Sequence, residues 1–341
     1  MRIAITFASL VFGYLVLTVG KPIIMPLVVA AFFAILLVPA LNRLEQWKIP
    51  RAAAITLLMI VLIASISSLI YVVLNQAVAI AEDLPEISGK LEAWYLSLAT
   101  YLETDLGISA AKQTEYLYSG VEKLLGSSGS FIQSTINTTA NLFTYLALIP
   151  VYVFLMLYYR ERFQDFFIAI NHPDSRDRVE DTLDHSKGVI LNYVSGISIV
   201  VLIMAVLNVG GLLIIGIPYA VFFGIVAALL TIIPYVGIII GSIPPILIAL
   251  IMTDSVFYPV AVIILFVIVQ TLEGNFITPK IVGSKVSVNA LAAMVALVVG
   301  GFLWGAIGMI LSIPITGMLK VILHQSPKTR PWSMLIGQDD V

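Results

Sequence analysis

A single carboxylate closes an otherwise uncharged apolar run. Residues 255–272 carry no charge, and Glu273 follows in the segment Gln270-Thr-Leu-Glu273-Gly-Asn275-Phe-Ile-Thr278-Pro279-Lys280-Ile-Val-Gly283. A charge beside hydrocarbon is expensive, so such a group faces a cavity or a partner. Two uses are open to Glu273: it carries a proton or binds a cation, or it is an interfacial anchor paired with Lys280. Gln270 and Asn275 are the polar groups at hand to contact a solute. Asn192 and Asn208 lie in or near the apolar run 188–217, with Gly210-Gly211 beside Asn208. Buried amides bond from helix to helix in membranes, and they also serve as solute or sodium ligands; both roles are open.

Two apolar stretches are interrupted where a plain membrane helix would not be. Residues 218–253 contain Ile233-Pro234-Tyr-Val-Gly237, then Gly241-Ser-Ile-Pro244-Pro245. Proline removes a backbone donor and clashes with the preceding turn, and in lipid the freed carbonyls need another partner or a wet cavity. Residues 286–323 repeat the pattern with Gly300-Gly301-Phe-Leu-Trp304-Gly305-Ala-Ile-Gly308, and Ser312-Ile-Pro314 echoes Ser242-Ile-Pro244. Short Gly/Pro-broken hydrophobic segments in matching positions point to a transporter binding site; glycine-mediated packing of short helices produces the same pattern. Pro234, Gly237, Gly241, Pro244 and Pro245 are read as the turn and hinge of a first hairpin. Gly305, Gly308 and Pro314 are read as the break of a second.

Other chemistries find no footing. Asp181 and His185 share a helical face, but one carboxylate and one imidazole do not complete a metal site. The sequence has no HExxH, Walker A or GxSxG motif and no cysteine. Neither an enzyme nor an ATP-driven pump is expected, and no metal or cofactor.

The elements that must carry these groups are membrane helices. Of 341 residues, 60% are hydrophobic and 11% charged, against about 25% charged in soluble domains. A net charge of −2 without a basic cluster argues against nucleic acid as a partner. Uncharged runs near the about 20 residues a crossing needs occupy 3–20, 22–42, 52–81, 139–159, 188–217, 218–253, 255–272 and 286–319. An all-α fold of about eight membrane segments is expected, with the bilayer as its principal partner. The domains read as membrane helices over 1–81, a small helical extracytoplasmic domain over 82–138, a transport core over 139–323 and a tail over 324–341. The core contains a basic segment at 160–187 and the hairpins 218–253 and 286–323. Arg43, Lys48 and Arg51, then the 160–187 segment, then Lys280 and Lys285, then Lys328 and Arg330 all fall on one side under the positive-inside rule. Both termini are thereby placed in the cytoplasm, and the acidic residues 82–138 outside.

The run Ile233-Pro-Tyr-Val-Gly237 with Gly241 and Pro244-Pro245, the motif Asn275-x-x-x-Pro279-Lys280-Ile-Val-Gly283, and Gly305-x-x-Gly308 with Ser312-Ile-Pro314 together resemble the autoinducer-2 exporter family of bacterial membrane proteins. Pro39 and the loop Lys48-Ile-Pro50-Arg51 fit as well. The resemblance implies a bacterial inner-membrane protein, a homo-oligomer, expected to be a pentamer, and proton-coupled or passive export of autoinducer-2 or a related solute. Some relatives resemble sodium/proton antiporters, so sodium (or lithium)/proton exchange is the alternative. A non-transporting scaffold acting through residues 82–138 is the third reading.

Overall fold

The computed structural model describes residues 2–83, 89–90, 148–171, 176–233, 236–253, 255–283 and 288–337. Most of the expected 82–138 domain, with Pro234 and residues 172–175 of the basic segment, lies outside the described residues. Within them the chain is helical, and the β feature is an isolated bridge between Val288 and Gly337. Only Gly20 separates α1 (Arg2–Val19) from α2 (Lys21–Gln46), and Pro22 sits in the first turn of α2, where its missing N–H costs nothing. The helix α3 (Arg51–Glu82) has 32 residues, about 48 Å at 1.5 Å each. Next come α4 (Leu148–Tyr158) and the short α5 (Arg160–Ala169).

From Arg176 to Ile215, α6 is one continuous helix of 40 residues. The later part of the basic segment, 176–187, and the apolar run after it, which polarity separates at residue 187, share a single backbone element. A switch from polar to apolar side chains changes the surroundings a helix prefers, whereas its backbone bonds continue across the switch. Two shorter helices follow, α7 (Ala220–Leu230) and α8 (Val236–Met252). After α9 (Phe257–Leu272) the winding widens into two π-helical turns, Glu273–Ile277 and Pro279–Gly283. The chain ends in α10 (Ala290–Trp304), α11 (Ala306–His324) and α12 (Arg330–Ile336).

Five of the described helical stretches are long and apolar enough to cross a bilayer: Lys21–Gln46, Arg51–Ile80, Arg176–Ile215, Phe257–Ile281 and Ala306–His324. The helices α4, α7, α8 and α10 are apolar but shorter. At 11 residues α7 extends about 16 Å, half of the about 30 Å hydrocarbon core.

Apolar seams hold the helices together. Ala30, Ala34 and Leu41 of α2 meet Ala54, Ile55 and Met59 of α3 and Val153 and Leu157 of α4. Leu212 of α6 closes on Phe223 of α7, Ala249 of α8 and Val262 and Phe266 of α9. Met25 and Phe32 of α2 pack with Ile190 of α6, Trp304 of α10 and Leu311 of α11. Outside these seams large apolar side chains stand exposed along whole helices, among them Leu202, Val206 and Leu213 on α6 and Val260, Ile264 and Val267 on α9. Water would penalise a surface of that extent, whereas acyl chains solvate it.

Two polar ties join α3 to the later helices. At its start, Glu45 bridges Arg51 (2.9 Å) and Arg160 (2.6 Å), Arg160 also donates to Asn42 (2.8 Å), and Arg51 reaches Glu161 at 2.5 Å. At its end, the Tyr219 hydroxyl before α7 donates to the Asp83 carboxylate.

Candidate functional site

The carboxylate of Glu273 lies where α9 passes into the first π turn, and both its oxygens are engaged. Gln270 Nε2 donates to Oε2 at 3.0 Å, and the Thr278 hydroxyl donates to Oε1. An α-helix stacks residue i over i+3 and i+4, whereas a π turn closes i on i+5. That winding brings Thr278 over Glu273, and α-helical spacing alone misses it. Lys280 is exposed and forms no ion pair with Glu273. Asn275 lies one step round the helix, its amide donating to the Thr271 carbonyl at 2.9 Å, its side chain outward. Pro279 opens the second π turn, Lys280 follows it, and Gly283 closes it.

Beside this carboxylate, an amide oxygen is buried without a partner. Gln270 spends its NH₂ on Glu273, and its Oε1 has no hydrogen bond. Asn208 Oδ1 is in the same condition, and Asn208 is 1% exposed. These two are the buried side-chain N/O atoms without a hydrogen-bond partner among the described residues. An unsatisfied buried acceptor costs about 1–3 kcal/mol, so each one calls for a reason. Asn208 belongs to the inward stripe of α6, Ile190, Tyr193, Gly196, Val200, Met204, Asn208 and Leu212. Met204 and Val200, one and two turns away, pack with Val269 of α9, the residue before Gln270, and with Ile277 and Ile281 of the two π turns. One seam between α6 and α9 thus carries the polar residues in an otherwise apolar setting.

The first hairpin borders this seam, and the second packs on α6 nearer its start, at Ile190 and Tyr193. Between α7 and α8 the described turn is Thr231 to Ile233. Gly237 presses on the Leu230 carbonyl so closely that a Cβ would lie 1.8 Å from its oxygen, and at Gly241 a Cβ would lie 2.9 Å from Ala227 Cα. Glycine therefore sets the distance between the two arms. Pro244 and Pro245 lie inside α8, with Pro244 outward and Pro245 buried, so the arm is helical through both. The tip of α7 faces the seam through Ala228, which packs with Val200, Met204 and Val269.

At the second hairpin Gly305 is the break. Its backbone, φ 66° and ψ −143°, is one that side chains resist, and it both ends α10 and precedes α11. Gly300 and Gly308 face each other across the arms, a Cβ on Gly308 falling 1.9 Å from the Gly300 oxygen. Pro314 is buried within α11. Trp304, at the tip, donates Nε1–H to the Leu17 carbonyl of α1 at 3.0 Å. At the base, Asn289 caps α10 by accepting from Ala292 N at 2.8 Å, and its Nδ2 donates to the carbonyls of Leu335 (2.7 Å) and Gly337 (3.0 Å). No group of three or more His, Cys, Asp or Glu residues able to hold a metal occurs among the described residues.

Residues 7–328 match the family model of the AI-2E family transporters. YrrI of Bacillus subtilis (strain 168) is 28% identical, over 89% of this chain and 86% of its own length. YhhT of Escherichia coli (strain K12) is 25% identical, over 99% of this chain and 94% of its own. Both are named for transport without a stated solute. The AI-2 transport protein TqsA of Escherichia coli (strain K12) is 22% identical, over 96% of this chain and 92% of its own.

Proposed function

This chain belongs to the AI-2E transporter family, and from that premise we propose that it exports a small polar solute, autoinducer-2 or a molecule like it, by secondary transport across the bacterial inner membrane. The observation that carries the reading is the pair of unpartnered amide oxygens, Asn208 Oδ1 and Gln270 Oε1, buried along an apolar seam. A hydroxyl-bearing solute supplies the donors both oxygens lack, and Glu273 beside Gln270 supplies the charge. Asn275 is the further polar contact once the seam opens. The hairpin-bearing half, α6 to α11, rocks or slides against α2 to α4, with Gly237, Gly241, Gly305 and Gly308 permitting the close approach. The first arm starts beside the α3 terminus, where Tyr219 meets Asp83, and its 11 residues fit a re-entrant course that stops near the midplane.

A second reading, sodium or lithium exchange against protons, is favoured by Glu273 itself, since one carboxylate can alternate between a proton and a cation. Proteoliposomes containing a pH-sensitive dye separate the two. Autoinducer-2 and sodium are added in turn to wild type and to E273Q, N208L and Q270L. Solute-dependent flux lost in the Asn208 and Gln270 variants supports export. A sodium-triggered pH change abolished by E273Q supports exchange and sets export aside.

A further inference from the structure

The helix α5 has no buried residue, yet its exposed side chains divide sharply by kind. Phe163, Phe166, Phe167 and Ile170 recur at i, i+3, i+4 and i+7 and so form one face; they are 48%, 56%, 43% and 62% exposed. Glu161, Gln164 and Asp165 occupy the opposite arc, and Arg160, three residues before Phe163, opens the helix at the edge of the aromatic face. Glu161 on the polar arc binds Arg51, and Arg160 at the helix start binds Asn42 and Glu45, which ties α5 to the α2–α3 corner while the aromatic side chains stand exposed.

The same outward surface begins on α4. There Val153 and Leu157 are buried against α2 and α3, leaving Val151, Leu155 and Tyr158 outward. Tyr159 alone separates the two helices, so the exposed apolar side chains of α4 lead directly into α5. At the border of its aromatic face stands Arg162, its guanidinium 5.2 Å over the Tyr159 ring and in no ion pair among the described residues. An aromatic face bordered by an uncommitted cation matches the boundary between acyl chains and anionic headgroups.

We propose that α5 is an interfacial helix, with Phe163, Phe166, Phe167 and Ile170 sunk into the leaflet beside α4 and Arg162 against an anionic lipid headgroup. The ion pairs to Glu45 and Arg51 then fix the α2–α3 corner to the membrane surface. This holds whichever solute the protein carries.

The absence of cysteine makes the test direct. Full-length F166C and Q164C proteins each take one spin label and are reconstituted in vesicles of phosphatidylcholine, alone or mixed with phosphatidylglycerol. The label at 166 is expected about 5–10 Å below the phosphates, accessible to oxygen and shielded from a water-soluble nickel reagent. The label at 164 is expected to show the opposite. Adding R162Q should move the 166 label toward water in the anionic vesicles and leave it unchanged in phosphatidylcholine alone. F163C, on the same face, replaces F166C if that variant does not fold. Nickel access at 166 in both vesicles would overturn the proposal, since the face would then be in water. Shielding from both reagents would overturn it equally, since protein would cover the face. Indifference of the label to R162Q would remove the anionic headgroup from it.

Discussion

Replacing glycines at the second hairpin by alanine should produce a graded loss of stability that the interatomic distances order in advance. A Cβ on Gly308 would lie 1.9 Å from the Gly300 oxygen, against an ordinary contact of 3.4 Å, so α10 and α11 must part locally by about 1.5 Å, the difference between the two. On Gly300 the Cβ would lie 2.4 Å from the Gly308 oxygen, requiring about 1.0 Å. On Gly301 the nearest atom is Met309 Cε at 2.5 Å, the far end of a flexible side chain that can turn aside. Overpacking typically costs about 1–3 kcal/mol, and a gap of 0.5–1 Å forfeits a quarter to a half of each contact's dispersion. Against this stands a gain of about 1 kcal/mol for alanine over glycine in a helix interior. The expected results are a net loss of about 1–2 kcal/mol for G308A, a smaller loss for G300A, and no loss or a slight gain for G301A. Thermal unfolding of the detergent-solubilised proteins, followed by the folded fraction on size exclusion, measures the order. Equal stability of G308A and G301A, or G301A as the weakest, would refute the close approach of the two arms.

Further outcomes follow from other contacts. T278V removes a charge-assisted bond to Glu273, a type worth about 1.5–3 kcal/mol, and should lower solute flux about tenfold with the protein still folded; flux is read in proteoliposomes. G305A places a Cβ in a backbone region tolerated by glycine, at about 1–3 kcal/mol, and should lower the unfolding temperature even though no atom stands in the way. The Arg51 guanidinium, hydrogen-bonded to Glu161, holds that carboxyl below the ordinary glutamate range. A lowered folded-state value contributes stability that is present above the unfolded value, near 4.3, and lost as pH falls through the lowered one. E161Q should therefore unfold slightly earlier than wild type at neutral pH, by less than about 1 kcal/mol for so exposed a pair. Wild type and variant should converge only at pH values below the ordinary glutamate range, as thermal melts across pH would show.

Much of this architecture is legible in the sequence, because apolar runs and helix breakers are local signals. The run 52–81 becomes α3 with one residue added at each end; of Gly305, Gly308 and Pro314, read as the second break, Gly305 interrupts the helix with a backbone at ease only in glycine, while Gly308 and Pro314 lie inside α11. Pro244 and Pro245 carry the same kind of signal and are helical, since each can be accommodated within α8 when the neighbouring packing compensates. The polar site is less legible. Gln270, Glu273 and Asn208 stand out as polar residues in apolar runs, but Thr278 reaches Glu273 only through π winding, which follows no residue pattern in the chain. The ties of Glu45 to Arg160 and of Arg51 to Glu161 join residues more than a hundred positions apart. From the sequence those arginines inform loop charge, and their partners emerge only when the helices pack.

The π turns after α9 also have a consequence for facing. The inward residues of α9 are Pro259, Val262, Phe266 and Val269, and at α-helical spacing the series would continue through Glu273, Phe276 and Lys280. Instead Ile277 and Ile281 pack toward the seam, while Phe276 and Lys280 are exposed. The wider winding thus works as a phase shift, about 100° for each residue it absorbs, that keeps an ammonium group out of an apolar interface. Deleting Gly274 would shorten the helix by about 1.5 Å, a trivial change in length. It would also remove the residue that the wider winding absorbs: plain α-helical winding would then bring Ile277 and Ile281 to the inward places of the series and leave Lys280 outside it.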